Sequence, residues 1–326
     1  MEGGGVTVTP PVCRTSGRGG IRVALPLVVD QAHPARLRVG VIGAGRVGAV
    51  LGAALGAAGH QIMGAYAVSA ASLERAAALL PGVPIVAAQD LVQTADLILL
   101  AVPDDALAAM VEGIARTCGW PAGQIVVHTS GRSGTGVLEP ARAQHALPLA
   151  LHPAMTFTGT SMDLDRLRDC VFGSTCADEL RPIAEALVMD MGGEVVWVAE
   201  GERAAYHCAL AHAANHLVTL IAEAREILNR ATGTQTPDRV LGPLTRAALD
   251  NALRLGDSAL TGPVARGDVG TVESHLRELD RLAPDIRRTY LAMARATALR
   301  ALDDGRLSAA AAEPLLHTLA DQEPRA

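Results

Sequence analysis

Gly43-Ala44-Gly45-Arg46-Val47-Gly48 follows the apolar residues 37–42 (LRVGVI) and precedes an alanine-rich stretch. The apolar residues predict a strand and the alanine-rich stretch predicts a helix, so the glycines lie in a strand-to-helix turn. In such a turn Gly43 permits the tight bend, Gly45 lets backbone approach a pyrophosphate, and Gly48 lets helix and strand pack closely. The turn therefore predicts a dinucleotide site, with phosphates at the positive end of the helix dipole.

The composition is typical of a globular protein with two domains. The chain has 326 residues, 49% of them hydrophobic, which is enough to bury a large core. Its formal net charge of -6 disfavours a nucleic-acid partner, and no segment has the length and apolarity of a membrane span. The five cysteines show no CxxC pairing and no even framework, which indicates reduced thiols in a cytoplasmic protein.

All basic side chains of the chain are arginines, because the sequence contains no lysine. A lysine general acid, Schiff base or phosphate ligand is therefore impossible here.

Residues 1–34 are rich in glycine and proline and predict a disordered tail. Strands and helices then alternate, which is the pattern of a doubly wound parallel sheet of Rossmann type, and we assign residues 35–199 to this domain. After Asp96, the predicted strand 96–102 is apolar throughout, as expected for a strand buried on both faces. The predicted strands are 37–42, 61–67, a short one near 85–86, 96–102 and 124–128, and the predicted helices between them are 47–58, 71–80, 89–94 and 105–117.

Strand signals end near residue 200, and residues 200–326 predict an all-α domain for substrate binding and dimerisation. Its first helix is long, spanning 201–230 and ending near Gly233, and later helices are predicted at 237–254, 269–281, 285–302 and 308–319. The predicted fold is thus α/β, a Rossmann-type domain followed by helices, with the chemistry in the cleft between them.

The end of the second strand indicates NADP(H) rather than NAD(H). Residues 63–69 (MGAYAVS) lack the acid that usually binds the adenosine ribose. Ser69, with Ser72, Arg75 and Arg46, can instead receive a 2′-phosphate, although both serines are also suited to cap the next helix. Further cofactor contacts are predicted where later strands end, at Val102, Pro103 and Ser130.

Four segments together resemble a known family: residues 39–48, 127–131 (VHTSG), 151–157 (LHPAMTF) and 259–268 (ALTGPVARGD). They are similar to a bacterial two-domain family in which a Rossmann-like domain precedes a helical domain of unknown function. The resemblance spans about residues 36–300 and lies within the 6-phosphogluconate dehydrogenase-like superfamily, alongside pyrroline-5-carboxylate reductases and ketopantoate reductases. It implies an oxidoreductase, and some members of the nearer family are assigned as ketopantoate reductases.

Related dehydrogenases carry a lysine proton donor on the long interdomain helix, and this chain has none. The helix carries His207, His212 and Asn215 instead. At 100° per residue, Asn215 lies about 80° from His207 and about 60° from His212, so all three can share the flank that faces the cleft. We predict His207 as proton donor, Asn215 as the group that orients substrate, and His212 as a further catalytic candidate; packed structural histidines are the alternative.

Four other residues are predicted to bind substrate: Thr129, His152, Thr261 and Arg266. Arg266 has the fork geometry to hold a carboxylate. Asp268 is expected to cap the following helix, and the remaining histidines form no metal-ligand pattern.

These features predict an NADP(H)-dependent reductase of a small carbonyl compound that carries a carboxylate, with ketopantoate (2-dehydropantoate) as the named candidate. Two alternatives stay open: an imine reductase similar to pyrroline-5-carboxylate reductase, and a non-catalytic NADP(H)-binding sensor or scaffold. A homodimer through the helical domain is expected, because alanine-rich helices suit close packing.

Overall fold

The computed structural model describes residues 36–320, and the tail predicted for residues 1–34 lies outside them. Within this range, seven strands form one sheet in the order β2-β1-β3-β4-β5-β6-β7. The strands are β1 (Arg38–Ile42), β2 (Gln61–Tyr66), β3 (Leu97–Leu100), β4 (Ile125–His128), β5 (Leu147–Pro153), β6 (Val171–Thr175) and β7 (Glu194–Trp197). All neighbouring strands are parallel except β5 and β6, which pair antiparallel.

The first seven helices accompany the sheet, and the remaining six follow it. The first group comprises α1 (Arg46–Ala57), α2 (Ala70–Leu79), α3 (Ala88–Thr94), α4 (Asp104–Thr117), α5 (Glu139–Arg142), α6 (Met162–Arg166) and α7 (Arg181–Asp190). The second group comprises α8 (Arg203–Thr232), α9 (Asp238–Leu255), α10 (Gly262–Arg266), α11 (Val269–Leu282), α12 (Arg287–Asp303) and α13 (Ala309–Ala320). The predicted fold class, a Rossmann-type sheet followed by helices, is confirmed.

The prediction differs from the structure in several places, and strands β5, β6 and β7 were not among the predicted strands. The pairing is not parallel throughout, because β6 runs opposite to β5. The strand predicted near residues 85–86 is a single bridge from Ile85 to Ala65. The segment 261–268, which lies outside the predicted helices, contains the short helix α10, which has a proline in its first turn and ends at Gly267 with φ +71°. Asp268 caps α11 as predicted, since its side chain accepts a hydrogen bond from the Thr271 amide.

The buried hydrophobic clusters of the described residues lie in two parts of the molecule, the sheet with its flanking helices and the C-terminal helices. The first packs helices on both faces of the sheet, where Val39 and Leu99 belong to one face and Ile98 and Val126 to the other. The second lies among helices α10 to α13, around Val272 and Leu315. Helix α8 connects them, and residues 212–220 in its middle are all exposed.

The sheet brings four loops to one edge. Ile42 pairs with Leu100, Leu100 with His128, and His128 with Ala150, so parallel strands β1, β3, β4 and β5 end at the same level. The loops that follow these strands therefore lie side by side, and the amino-terminal turns of α8 pack against this edge.

Candidate active site

The glycine loop has the backbone that its sequence predicts. Gly43 has φ +97°, and a Cβ there would lie 2.6 Å from the Ala101 carbonyl oxygen. A Cβ on Gly48 would lie 2.1 Å from the Gly43 oxygen, so the helix can pack on the loop only with glycine at this position. Ala44, between these glycines, is fully buried.

The space in front of α1 fits a pyrophosphate. Gly45 is the residue before the helix, no side chain caps the helix, and a Cβ on Gly45 would have no neighbour within 4 Å. The first amides of a helix lack intrahelical partners, so those of Arg46, Val47 and Gly48 can donate to an anion there. These residues therefore fit the phosphates of a dinucleotide.

Ser69 caps α2, with its Oγ accepting a hydrogen bond from the Ser72 amide at 3.2 Å. The side chains of Arg46 and Arg75 both lie against Gly159, where a Cβ would be 2.8 Å from Arg46 Cγ and 2.8 Å from Arg75 Nε. Gly159 is held by the buried Asp163, which accepts hydrogen bonds from the Gly159 amide at 2.7 Å and the Thr158 amide at 2.8 Å. Residues 63–69, which include the end of β2, contain no carboxylate, and Arg46, Ser69 and Arg75 belong to α1 and to the capped helix α2, which follow β1 and β2.

A cavity of about 580 Å³ opens between the glycine loop and α8. From the sheet edge it is lined by Arg46, Val47, His152 and residues 154–157, and from α8 by His207, Leu210, Ala211, Ala213, Ala214 and Asn215. The cavity therefore joins the loop that fits phosphates to two of the predicted catalytic residues and to one predicted substrate residue.

Arg203 fixes the start of α8 against the loop after β4. Its side chain is buried and donates to the carbonyl oxygens of Ser130 at 2.6 Å, Ser133 at 2.9 Å and Gly173 at 2.9 Å. Burial lowers the pKa of this guanidinium, although three carbonyl acceptors surround it. Because Arg203 is four residues before His207, the two side chains share one face of the helix.

Glu200 holds the same loop from outside. Its carboxylate accepts hydrogen bonds from the amides of Thr135 at 2.8 Å and Gly136 at 2.9 Å. With Arg203 and Glu200 both attached to it, the loop presents Gly131 to the helix, and a Cβ on Gly131 would lie 2.5 Å from His207 Cδ2 and 3.0 Å from His152 Nε2.

His152 and His207 form the polar centre of the cavity. Their ring centroids are 6.1 Å apart with perpendicular planes. His152 Nδ1 is 3.0 Å from the Tyr206 hydroxyl. Burial, and then the nearby Arg203 charge, lower the pKa of His152 to about 4, so its imidazole is neutral at pH 7. Burial likewise raises the pKa of Tyr206, which keeps its hydroxyl protonated.

Other predicted site residues lie elsewhere. Ser130 is buried, and its Oγ accepts a hydrogen bond from the Ser133 amide at 3.2 Å, so its side chain serves the loop itself. Thr129 is half-buried, and its amide donates to the Leu100 carbonyl. Val102 and Pro103 follow β3, and the Val102 nitrogen would lie 3.1 Å from a Cβ on Gly43. None of these four is among the cavity-lining residues.

His212 turns away from the cavity and contacts His216 instead, with 2.8 Å between their Nδ1 atoms. At 100° per residue it lies about 140° from His207, too far round the helix to share its flank. Thr261 and Arg266 are exposed at the two ends of α10, which packs with α11 and α12 and not against the cavity. The structure therefore does not bring these three residues to the site.

Sequence reasoning gave no role to Arg203 and Tyr206. The only sequence signal for them is spacing. Arg203 lies three residues before Tyr206 and four before His207, and residues at these spacings share a helix face. No three His, Cys, Asp or Glu side chains in residues 36–320 are arranged to hold a metal ion. Across the same residues, no helix has the length and apolarity needed to cross a bilayer.

Two family models match the chain. A Rossmann-like domain matches residues 12–153, and a domain of unknown function, DUF2520, matches residues 170–297. The chain thus joins a Rossmann-like domain to a DUF2520 domain, as the resemblance predicted. The boundary between the two matches falls between β5 and β6, where the sheet changes direction. The chain matches no curated protein.

Several solved structures share the whole fold. A protein of Bacteroides fragilis, provisionally described as an NADP oxidoreductase, is 23% identical with TM-score 0.66, covering 81% of this chain and 98% of its own. An imine reductase variant of Myxococcus stipitatus in complex with NAD+ is 19% identical with TM-score 0.58, covering 86% and 99%. A reductive aminase of Aspergillus terreus in complex with NADPH is 17% identical with TM-score 0.59, covering 83% and 95%.

Proposed function

We propose that the protein is an NADP(H)-dependent reductase of a small carbonyl or imine compound. The observation that carries the proposal is the single cavity lined by the glycine loop on one side and by His152, His207 and Asn215 on the other. Its volume of about 580 Å³ suits a nicotinamide ring and a small substrate together.

The cofactor preference rests on charge. A 2′-phosphate beside the end of β2 would meet Arg46, Arg75 and the Ser69 hydroxyl, and guanidinium groups bind phosphate through charge-assisted hydrogen bonds. An NAD-binding site would offer a carboxylate to the ribose hydroxyls at this position.

Bound NADPH would supply the hydride. Negative charge then builds on the substrate oxygen or nitrogen, and a nearby group must protonate it. His207 is the proposed proton donor, because its imidazole has a ring N–H to donate and the ring lines the cavity. Asn215 donates a hydrogen bond that orients the substrate.

His152 has a different proposed role. An imidazole with a pKa of about 4 is neutral at pH 7 and therefore cannot act as a cationic acid. With the Tyr206 hydroxyl donating to Nδ1, the ring proton resides on Nε2, the atom that lies against Gly131 beside His207. His152 then acts as a neutral hydrogen-bond donor to the developing charge.

The proposed substrate carries a carboxylate, with ketopantoate as the named candidate. An imine such as pyrroline-5-carboxylate is the second candidate, and it is favoured by the fold shared with an imine reductase and a reductive aminase. Arg266 and Thr261 lie outside the cavity, and the arginine that lines it, Arg46, is the one assigned above to the 2′-phosphate.

Turnover assays test the proposal. NADPH consumption is measured with ketopantoate and with pyrroline-5-carboxylate, using wild type, His207→Ala and the control His275→Ala, whose ring pairs with Tyr290 in the helical bundle. We expect His207→Ala to abolish turnover of the accepted substrate while NADPH binding stays nearly intact, and His275→Ala to behave as wild type. Activity of His207→Ala within a few-fold of wild type would exclude His207, and NADPH binding without turnover of either substrate would favour the sensor alternative.

We also propose a homodimer through the helical region. Helix α9 has no buried residue, and its Leu253, Leu244 and Val240 are 79%, 64% and 57% exposed. An amphipathic helix with so much uncovered apolar surface is stabilised when a second copy covers it. Light scattering after size exclusion should give a dimer for wild type and a monomer for Leu244→Glu combined with Leu253→Glu; a monomeric wild type at micromolar concentration would contradict the proposal.

A further inference from the structure

The exposed middle of α8 carries two histidines that the proposed reaction does not use. His212 and His216 are four residues apart, so their side chains stack on the same flank of the helix. By helical arithmetic this flank adjoins, but does not overlap, the one that lines the cavity. Both side chains are exposed.

The two rings point their Nδ1 atoms at each other. The Nδ1 atoms are 2.8 Å apart, and the ring planes are perpendicular with centroids 4.9 Å apart. Without another ligand, this contact needs one Nδ1 protonated and the other unprotonated. If both Nδ1 atoms are unprotonated, their lone pairs point into the space between the two rings.

That geometry suits one cation held between the rings. Imidazole nitrogens bind Zn²⁺ at about 2.0–2.1 Å, which places two nitrogens about 2.9 Å apart at a right angle and about 3.4 Å apart at the tetrahedral angle. From the observed 2.8 Å, the pair therefore needs to open by about 0.6 Å to reach the tetrahedral separation. Histidines at this spacing on one helix face are a recurrent zinc-binding arrangement.

We propose that His212 and His216 form a binding site for a late first-row divalent cation such as Zn²⁺, separate from the reductase cavity. Imidazole ligands suit zinc, copper and nickel rather than magnesium or calcium. Since no third His, Cys, Asp or Glu of residues 36–320 completes the group, water fills the remaining positions, which the exposure of both rings allows.

The test is calorimetric titration of the untagged full-length protein with ZnCl₂. We expect one Zn²⁺ per chain at pH 7.5, and weaker binding in acid, because metal binding requires unprotonated imidazole nitrogens. Absence of stoichiometric binding by the wild type would overturn the proposal. Parallel titration with Cu²⁺ lets electron paramagnetic resonance count the nitrogen ligands, with two expected.

The decisive variant exchanges two residues and keeps the composition constant. His216→Val combined with Val218→His preserves the number of histidines but moves one ring to a different face of α8. We expect its Zn²⁺ affinity to fall at least about tenfold, with the far-ultraviolet circular dichroism unchanged. Affinity equal to that of wild type would exclude the pair as the site.

Cys208 is a matched control, because it is an exposed thiol two turns before His216. We expect Cys208→Ala to bind Zn²⁺ as wild type does. Loss of binding in Cys208→Ala, with binding retained in the exchange variant, would assign the cation to the thiol and overturn the proposal. Since neither readout depends on turnover, the result is independent of the proposed reductase activity.

Discussion

The Tyr206 hydroxyl lies 3.0 Å from Nδ1 of His152, and this hydrogen bond joins helix α8 to strand β5 beside the cavity. The contact determines which ring nitrogen of His152 carries the proton when Tyr206 is the donor. Tyr206→Phe removes the donor and leaves the ring free to adopt the other tautomer. We expect kcat to fall about 10- to 100-fold with little change in NADPH affinity, as measured by steady-state kinetics and by cofactor titration.

The helical bundle offers a matched control. Tyr290 and His275 form the same kind of pair, with 2.9 Å between the hydroxyl and Nδ1, far from the cavity. Tyr290→Phe should therefore leave turnover unchanged. Equal losses in Tyr206→Phe and Tyr290→Phe would mean that the effect reflects general destabilisation and not the orientation of His152.

Arg203 is expected to be important for stability as well as for the site. Arg203→Met leaves the carbonyl oxygens of Ser130, Ser133 and Gly173 without their donor in a buried position. We expect the free energy of unfolding to fall by about 2–4 kcal/mol in chemical denaturation. The exposed Arg254, paired with Asp250, is the control, since Arg254→Met should change stability by less than about 0.5 kcal/mol. Equal stability of the two variants would show that the buried hydrogen bonds of Arg203 contribute little.

Acid should destabilise the protein through the buried His128 and the half-buried His152. Burial lowers the pKa of both His128 and His152 to about 4, below the value of 6.5 expected in the unfolded chain. Between these values the unfolded chain binds more protons, so the free energy of unfolding falls as the pH drops from about 6.5 towards 4. From pH 7 to pH 5 we expect a loss on the order of 2 kcal/mol for each histidine.

Urea unfolding of wild type and His152→Gln at both pH values measures this loss. The glutamine variant does not titrate at this position, so the difference between its two stabilities should be smaller than the wild-type difference. An identical pH dependence in the two proteins would mean that His152 is not held neutral by its surroundings.

Local patterns predicted the first half of the sheet because each strand there is a short apolar segment between clear helices. The later strands were not predicted. Strand β5 contains Pro148 and Pro153, which are unusual inside a sheet, and β7 has only four residues. The antiparallel pairing of β5 and β6 depends on contacts between distant parts of the chain, which periodicity does not record.

The residues of the candidate site also divide into those that local sequence predicts and those that depend on distant contacts. The glycine loop follows from local backbone requirements, and His207 and Asn215 follow from helix geometry. The turn of His212 towards His216 and the location of Arg266 on α10 depend on how elements pack. The role of Arg203 depends on carbonyl partners from β6 and from the loop after β4, which are about 30 and 70 residues away in the sequence.

Cofactor preference can be tested at Ser69 without losing the helix cap. Ser69→Asp retains an oxygen that can accept from the Ser72 amide, because aspartate is as good a cap as serine. The new charge repels a 2′-phosphate and can accept hydrogen bonds from the ribose hydroxyls of NADH. We expect NADPH affinity to fall at least about tenfold, equivalent to about 1.4 kcal/mol, while NADH affinity stays constant or rises.

Fluorescence titration with both cofactors measures the two affinities, and Ser308→Asp is the control. Ser308 occupies the same capping position before α13, where its Oγ accepts from the Ala311 amide, and it lies outside the cavity. If Ser308→Asp leaves both affinities unchanged while Ser69→Asp weakens NADPH alone, repulsion at Ser69 identifies where the 2′-phosphate binds. If Ser69→Asp weakens both cofactors equally, the serine acts only through the helix, and the assignment of NADP(H) to this site is wrong.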